Sequence, residues 1–544
     1  MGDEPDNRSL YELVLARLAE ESVTDSAHEL VARLQPAVRA SSAVVLWRRL
    51  SDRLEVFWVR RSPQLSFMGG WHAFPGGARS RGDAGLEVAG TPSGSDDGSR
   101  EVGMPGEFMG GVDLEPVLAS GIVAGALREL FEETGVLPGA EAHPRGAPEG
   151  FGAARLSLLA GEMDFAEALT DLGFGLCADD LVYAGRWLTP PLGPRRFDNR
   201  FFLLEWPVDR QLQPEVIPGE LEEGEWVDPK VAIARWESGG VIAAPPILHI
   251  LRVLAEEGPQ NGLERMRDPS ETNLGPFRRI EFRPGVLLFP LETPTLPPAG
   301  HTNAYVLGHE NMVLVDPGSP YKSQIEGLVS AIRALEADGR KVTAIWLTHH
   351  HRDHVGGVEA LRRELGVPVC AHRLTALRLA PIGIQIDQIL EDGQRVVLGG
   401  GSPSALQVFH TPGHARGHLV FLDEATGSLI AGDLVAGFGT IVIDPPEGDM
   451  SEYFASLEKA RALGATTVFP GHGPTIHQPA GLFDRFIQHR RWREEKILGA
   501  WLGGVRETEG LLNSVYDEIE PMARPLAARQ LEAHLVRLRE LGSI

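Results

Sequence analysis

One short string constrains this chain more than any other: Thr348-His349-His350-His351-Arg352-Asp353-His354. It follows an apolar, strand-like run, Val342-Thr343-Ala344-Ile345-Trp346-Leu347, and precedes a helical pattern that opens near Val355. A strand fixes the backbone, and tight spacing brings several imidazoles and a carboxylate to one point, which is what a metal site needs. Further strand ends supply three more candidate ligands. His414 sits in Thr411-Pro412-Gly413-His414, Asp433 in Ala431-Gly432-Asp433, and His472 in Phe469-Pro470-Gly471-His472-Gly473. Small residues flank each and allow close backbone approach. Only Cys177 and Cys370 are present, which excludes a thiolate zinc cluster and a disulfide framework.

These residues resemble the metallo-β-lactamase superfamily over about residues 280–490. The resemblance implies two Zn²⁺ ions: His349, His351 and His414 hold the first, Asp353, His354 and His472 the second, and Asp433 bridges them. Asp353 also counts among the catalytic residues. In that family the two ions lower the pKa of a shared water, so that it attacks near neutral pH. By alternation His350 points away from the cluster, whereas His418 fits a supporting or a surface role equally well. Asp433 and His472 are 472 − 433 = 39 residues apart, too close for the large cap domain of the β-CASP nucleases. The stretch Pro297-Pro298-Ala299-Gly300-His301-Thr302-Asn303-Ala304-Tyr305, Asp316-Pro317-Gly318 and the tail from His489 to Glu495 resemble the endoribonuclease group "beta-lactamase-like protein 2". That likeness implies cleavage of single-stranded RNA and a winged-helix-like C-terminal domain. Arg490, Arg491 and Arg493 then read either as a phosphate patch or as the solvated face of a packing helix. Glyoxalase II-like thioesterases share the same ligands, so acyl-thioester hydrolysis is the competing activity.

The first half carries a second constellation, Arg128-Glu129-Leu130-Phe131-Glu132-Glu133-Thr134-Gly135-Val136. Ile122, Val123, Ala126, Leu127, Leu130 and Phe131 recur every three to four residues as a buried stripe, and Glu129, Glu132 and Glu133 stand opposite. Three carboxylates on one turn repel unless a cation sits among them, and all-oxygen ligands suit Mg²⁺ or Mn²⁺. The string resembles the Nudix box, Gly-x5-Glu-x7-Arg-Glu-U-x-Glu-Glu-x-Gly-U with U apolar, whose opening loop matches Phe74-Pro75-Gly76-Gly77. Gly77 and Arg128 are 51 residues apart where the box has 14, an excess of 37. For the first box glutamate, Asp83 and Glu107 are weak candidates. The split box and Arg61-Ser62 with Gly70 resemble the coenzyme A diphosphatase branch related to Nudix protein 19, although Ser66 replaces that motif's Arg. The likeness implies a diphosphatase of nucleoside-diphosphate conjugates such as coenzyme A. Glu132 and Glu133 would be catalytic, Glu129, Glu132 and Glu133 would hold the metal, and Arg128 would orient a glutamate. Arg195 and Arg196 suit a bidentate grip on the diphosphate, or a structural pairing with Glu. Glu222 or Glu223 is a candidate for an extra ligand or base.

At 544 residues the chain is too long for one core. The expected class is α/β and α+β multidomain: a Nudix α/β/α sandwich, a metallo-β-lactamase αββα sandwich and a small helical C-terminal domain. The boundaries read as 1–41 helical, 42–255 Nudix with a surface loop at about 78–111, 256–279 linker, 280–480 metallo-β-lactamase and 481–544 winged-helix-like. With 51 Lys+Arg against 75 Asp+Glu the net charge is −24, which disfavours a general polyanion binder. An acidic start without signal-peptide character and the lack of a long apolar run point to a cytoplasmic hydrolase that meets no membrane.

Overall fold

The computed structural model describes residues 38–65, 68–94, 116, 118–119, 121–139, 150–190, 195–210, 212–295, 299–401, 404–519 and 524–544. They fall in two compact units, Pro36–Leu287 and Leu288–Ile544.

The first unit is built on one sheet of β1 (Val38–Leu50), β2 (Arg53–Arg61), β3 (His72–Ala73), β4 (Gly76–Ala78), β5 (Leu181–Leu188), β6 (Arg196–Glu205) and β7 (Leu221–Val227). Its main path runs β3-β2-β1-β6-β5, with β4 paired to β1 and β7 to β2. β1 is central because its apolar run is continuous. Val44 and Leu46 enter one core, while Ala43, Val45 and Trp47 enter the other. The first core is closed by α1 (Ile122–Thr134) through Leu127, Leu130 and Phe131. The second is closed by α2 (Pro229–Glu237) and α3 (Pro245–Glu256) through Trp236, Ile247 and Leu251. The expected α/β/α layering is therefore present.

In the second unit, one sheet runs through β8 (Val286–Glu292), β9 (His301–Gly308), β10 (Asn311–Val315), β11 (Lys341–Trp346), β12 (Val369–Ala371) and β13 (Gln388–Ile389). The other runs through β14 (Arg395–Leu398), β15 (Ser404–His410), β16 (Leu419–Asp423), β17 (Ser428–Gly432), β18 (Thr467–Pro470) and β19 (Ile476–His477). The sheets meet through edge-on rings, Trp346 on Phe421 at 5.0 Å and Tyr305 on Phe469 at 5.8 Å. The outer face of the second sheet packs Leu429, Ala431 and Val468 against α4 (Met450–Ala462) and the first turns of α5 (Ala480–Leu502).

Four boundaries differ from the sequence reading. Residues 1–37 lie outside the described residues, and 38–41 begin β1 rather than ending a helix. The described part of the 78–111 segment is structured: Gly82–Gly85 is a 3₁₀ turn with Asp83 buried, and Val88–Ala89 pairs with Leu176–Cys177. Glu107 lies outside the described residues, as does Ser66. Residues 256–279 are packed structure, with Met266 in the second core and Leu274 and Phe277 buried. Sparse apolar anchors among polar neighbours gave both segments a loop-like composition. The described residues from 480 onward form α5, α6 (Thr508–Val515) and α7 (Arg524–Glu540) and contain no strand, so they include no wing. No helix among the described residues is long and apolar enough to cross a membrane.

Leu130 is fully buried beneath α1. Leu130→Ala should cost about 2–5 kcal/mol in denaturant unfolding, the usual range for a core truncation of this type.

Candidate metal centre

The histidine string follows β11, and the other candidate ligands follow β15, β17 and β18, so all the turns that carry them lie at strand ends. Nδ1 of His351 lies 3.0 Å from Nε2 of His349 and 3.0 Å from Nε2 of His414. Ligands about 2.0–2.1 Å from a tetrahedral ion stand about 3.3 Å apart, so the trio is spaced to share one cation. A second trio is made by Asp353, His354 and His472, with His472 Nε2 at 3.3 Å from Asp353 Oδ2. Asp433 stands between them. Its Oδ2 is 3.5 Å from His414 Nε2, and its Oδ1 is 3.4 Å from His354 Nε2 and 3.5 Å from His472 Nε2. The seven expected ligands thus converge, with Asp433 in the bridging place. Gly471 permits this approach, because a Cβ there would sit 2.5 Å from Asp433 Oδ1.

Hydrogen bonds on the far nitrogens set the ring orientations. His414 Nδ1 donates to the Val442 carbonyl at 2.7 Å, and His472 Nδ1 to the His301 carbonyl at 3.0 Å. Asp316, at a left-handed φ of +48°, accepts from Thr348 N, Thr348 Oγ1 and His354 Nδ1 at 2.8, 2.6 and 2.8 Å. Thr348 Oγ1 in turn lies 2.9 Å from His349 Nδ1. His418 is buried, and its Nε2 accepts from the Asp433 backbone N–H at 3.1 Å, which assigns it the supporting role. Asn303 and Tyr305 donate to the Pro470 carbonyl at 3.0 and 2.6 Å and hold the turn that carries His472. Asp316 had a visible signal in Asp316-Pro317-Gly318; the carbonyls of Val442 and His301 had none.

Charge placement follows the same division. Burial and neighbouring imidazoles hold His349 and His351 far below the ordinary histidine range, in the neutral form that ligates. Burial opposes charge on His472, yet Asp433 and Asp353 together raise it to about 10. A cation arriving there replaces that proton.

In the first unit Arg128 is the hub of the carboxylate helix. It reaches Asp83 at 2.8 Å, Glu132 at 2.9 Å and Glu129 at 3.0 Å. Asp83 stands 83 − 77 = 6 residues after Gly77, the spacing that the Nudix resemblance implies for its first glutamate. The Gly76 N–H donates to Glu133 Oε2 at 2.8 Å, and a Cβ on Gly77 would meet the Glu129 carboxylate at 2.5 Å. Burial raises Glu129 to about 7 against the pull of Arg128. Burial and Glu129 push Glu133 well above the ordinary carboxylate range. Ligand atoms of three residues within 4.8 Å of one another occur only in the histidine cluster among the described residues. Arg195 and Arg196 do not form one grip: Arg195 is exposed, whereas Arg196 is buried and donates to the Thr189 carbonyl at 3.0 Å. Successive residues entering a strand face opposite ways. Glu222 and Glu223 both pair with Arg60, at 2.9 and 2.8 Å.

The family model described as the metallo-beta-lactamase superfamily matches residues 297–472. A "Beta-lactamase-like protein 2 homolog" of Drosophila melanogaster is 30% identical over 262 residues, 45% of this chain and 84% of that protein. The chain belongs to the metallo-β-lactamase superfamily. An "Atrochrysone carboxyl ACP thioesterase" of Aspergillus fumigatus is 30% identical over 207 residues, 38% of this chain and 61% of that protein. A solved NUDIX hydrolase from Alicyclobacillus acidocaldarius aligns at 26% identity over 42% of this chain and 96% of its own, with a TM-score of 0.34. The metallo-β-lactamase donors fit a pair of divalent ions: His354 Nε2 and Asp433 Oδ1 are buried and make no hydrogen bond. Such atoms are costly unless a cation takes their lone pairs. Neither reading of the arginine triplet holds for Arg490 and Arg493, which are buried and bonded inside the protein; Arg491 is exposed and faces Glu458 at 3.5 Å.

Glu129 yields a pH prediction. Its raised folded value stabilises the protonated, metal-free protein below the ordinary 4.5, and that contribution is lost as pH rises toward 7. The metal-free thermal midpoint should fall between about pH 5 and 7. Glu129→Gln should flatten that fall, and added Mg²⁺ should offset it.

Proposed function

We propose that the second unit is a two-zinc hydrolase of acyl-thioesters and the first a Nudix-type diphosphatase that uses Mg²⁺ or Mn²⁺. The observation that carries the first reading is the pair of largely buried donor trios meeting at Asp433, where His354 Nε2 and Asp433 Oδ1 face each other at 3.4 Å without an aligned hydrogen bond. Imidazole and carboxylate donors without thiolate suit zinc with an open position. When bound, the ions supply a nucleophilic water and a Lewis acid for the acyl carbonyl. The chain holds His349 and His351 neutral, keeps the Asp353 and Asp433 carboxylates ionised, and fixes the His349, His354, His414 and His472 rings from behind. Thioester is favoured over single-stranded RNA on two grounds. Arg490 and Arg493 are unavailable for phosphate, and a relative is named as a thioesterase.

The second reading rests on Arg128, which pairs with Asp83 at the box spacing and with two box glutamates. Gly76 fixes the third glutamate, and the raised carboxylates call for a cation. A coenzyme A thioester contains both a thioester and a diphosphate, so it is the first substrate to try for either unit.

The zinc-loaded chain should release thiol from acyl-coenzyme A, and His351→Ala should lower kcat/KM at least about 100-fold with loss of bound zinc. Cleavage of RNA oligomers without thiol release would sink the thioesterase reading. With Mg²⁺, Glu132→Gln should abolish diphosphate cleavage of coenzyme A and leave thiol release unchanged. A wild-type chain inert toward every diphosphate conjugate tried would reduce the first unit to a binding module.

A further inference from the structure

His414 owes its orientation to the Val442 carbonyl, which lies in residues 434–449, a stretch without helix or strand. The position of that carbonyl is therefore set from outside the stretch, and two C-terminal helices set it. Arg490 on α5 donates through Nη2 to the Ile441 carbonyl and to Thr440 Oγ1, the latter at 2.8 Å. Gln530 on α7 donates through Nε2 to the same Ile441 carbonyl at 2.8 Å. Arg490 Nη1 donates to Gln530 Oε1 at 2.8 Å, which fixes the amide with its N–H side toward Ile441. Arg529 adds a bond to the Asp444 carboxylate and one to the Pro445 carbonyl at 2.8 Å. Ile441 and Ile443 are buried on either side of Val442. Arg490 and Gln530 are 2% and 6% exposed, so their bonds are desolvated and costly to lose. Because peptide units are rigid planes, fixing the Ile441 carbonyl leaves only the dihedrals of Val442 to aim the next one.

We propose that Arg490 and Gln530 are positioning residues of the metal centre. They lock the Ile441 peptide so that the Val442 carbonyl holds His414 with Nε2 turned to His351 and Asp433. This rests on the two-metal reading. The helices are thereby part of what sets metal affinity at the trio of His349, His351 and His414, although neither touches an ion.

Gln530→Glu tests the idea, because the carboxylate keeps the Arg490 contact and the volume but removes the donor to Ile441. The full chain is loaded with zinc and titrated with a chelator, and the Co²⁺-substituted protein gives an absorption spectrum of the site. Zinc at one of the two sites should bind about 10–100-fold more weakly, the usual cost of losing a partner behind a ligand, and the Co²⁺ bands should shift. Arg493→Lys is the control. Arg493 is also buried on α5 but bonds the Val515 carbonyl and Glu518, so its loss should lower the melting temperature and leave zinc retention unchanged. Should Gln530→Glu fail to fold, Gln530→Met, which removes the same donor without adding a charge, is read in the same titration: weaker retention supports the brace and wild-type retention overturns it. Zinc held equally by wild type and Gln530→Glu overturns the brace alone. A wild type that holds no zinc overturns the two-metal reading together with it.

Discussion

The metal centre depends on a carboxylate placed behind the ligands. Asp316 takes up the Thr348 N–H, the Thr348 hydroxyl and the His354 ring, and so ties the histidine string to the end of the neighbouring strand. It does this from a left-handed backbone conformation that a non-glycine residue rarely adopts. The strain is tolerated because three buried donors would otherwise lose their acceptor, at about 1–3 kcal/mol each. With this anchor in place, His349 is aimed through Thr348 and His354 directly, so one side chain orients a member of each trio.

The two units solve one electrostatic problem by different means. In the second, the ligands are mostly neutral rings and the negative charge is concentrated in Asp353 and Asp433, between the histidines. In the first, three glutamates crowd one stretch of helix, and Arg128 holds two of them while itself gripped by Asp83. Removing either arrangement from water without a counter-ion is expensive, which is why the chain supplies partial compensation in each.

Much of this was legible in the sequence. The ligand string announces itself because metal ligation demands particular residue types at short spacing, and the apolar run Ala43–Trp47 reads as a strand, though its burial on both faces is seen only in the structure. The carboxylate helix is equally plain from its period and from Gly135, which closes it with a left-handed turn. The rest was hidden for physical reasons. A backbone carbonyl such as that of Val442 has no signature, since every residue has one. Arg490 and Arg493 look like surface charge until their burial among carbonyls is seen, and Arg195 beside Arg196 looks like a pair until strand alternation separates them. The 256–279 segment reads as a linker because few apolar anchors, Met266 foremost, hold many polar residues in place.

The composition of the donor set bears on how this site meets oxidants and competing metals. The three metal-competent clusters among the described residues contain only histidine and aspartate, while Cys370 is buried with its thiol pushed up to about 11. Peroxide attacks thiolates, so it would find no ligand to convert to a sulfenic acid, and the centre should outlast oxidative conditions that strip a cysteine-bound zinc. The same lack of soft donors removes one means of choosing among first-row metals. Iron, manganese and cobalt are all compatible with imidazole and carboxylate, so cellular metal supply becomes part of what decides which ions this chain carries.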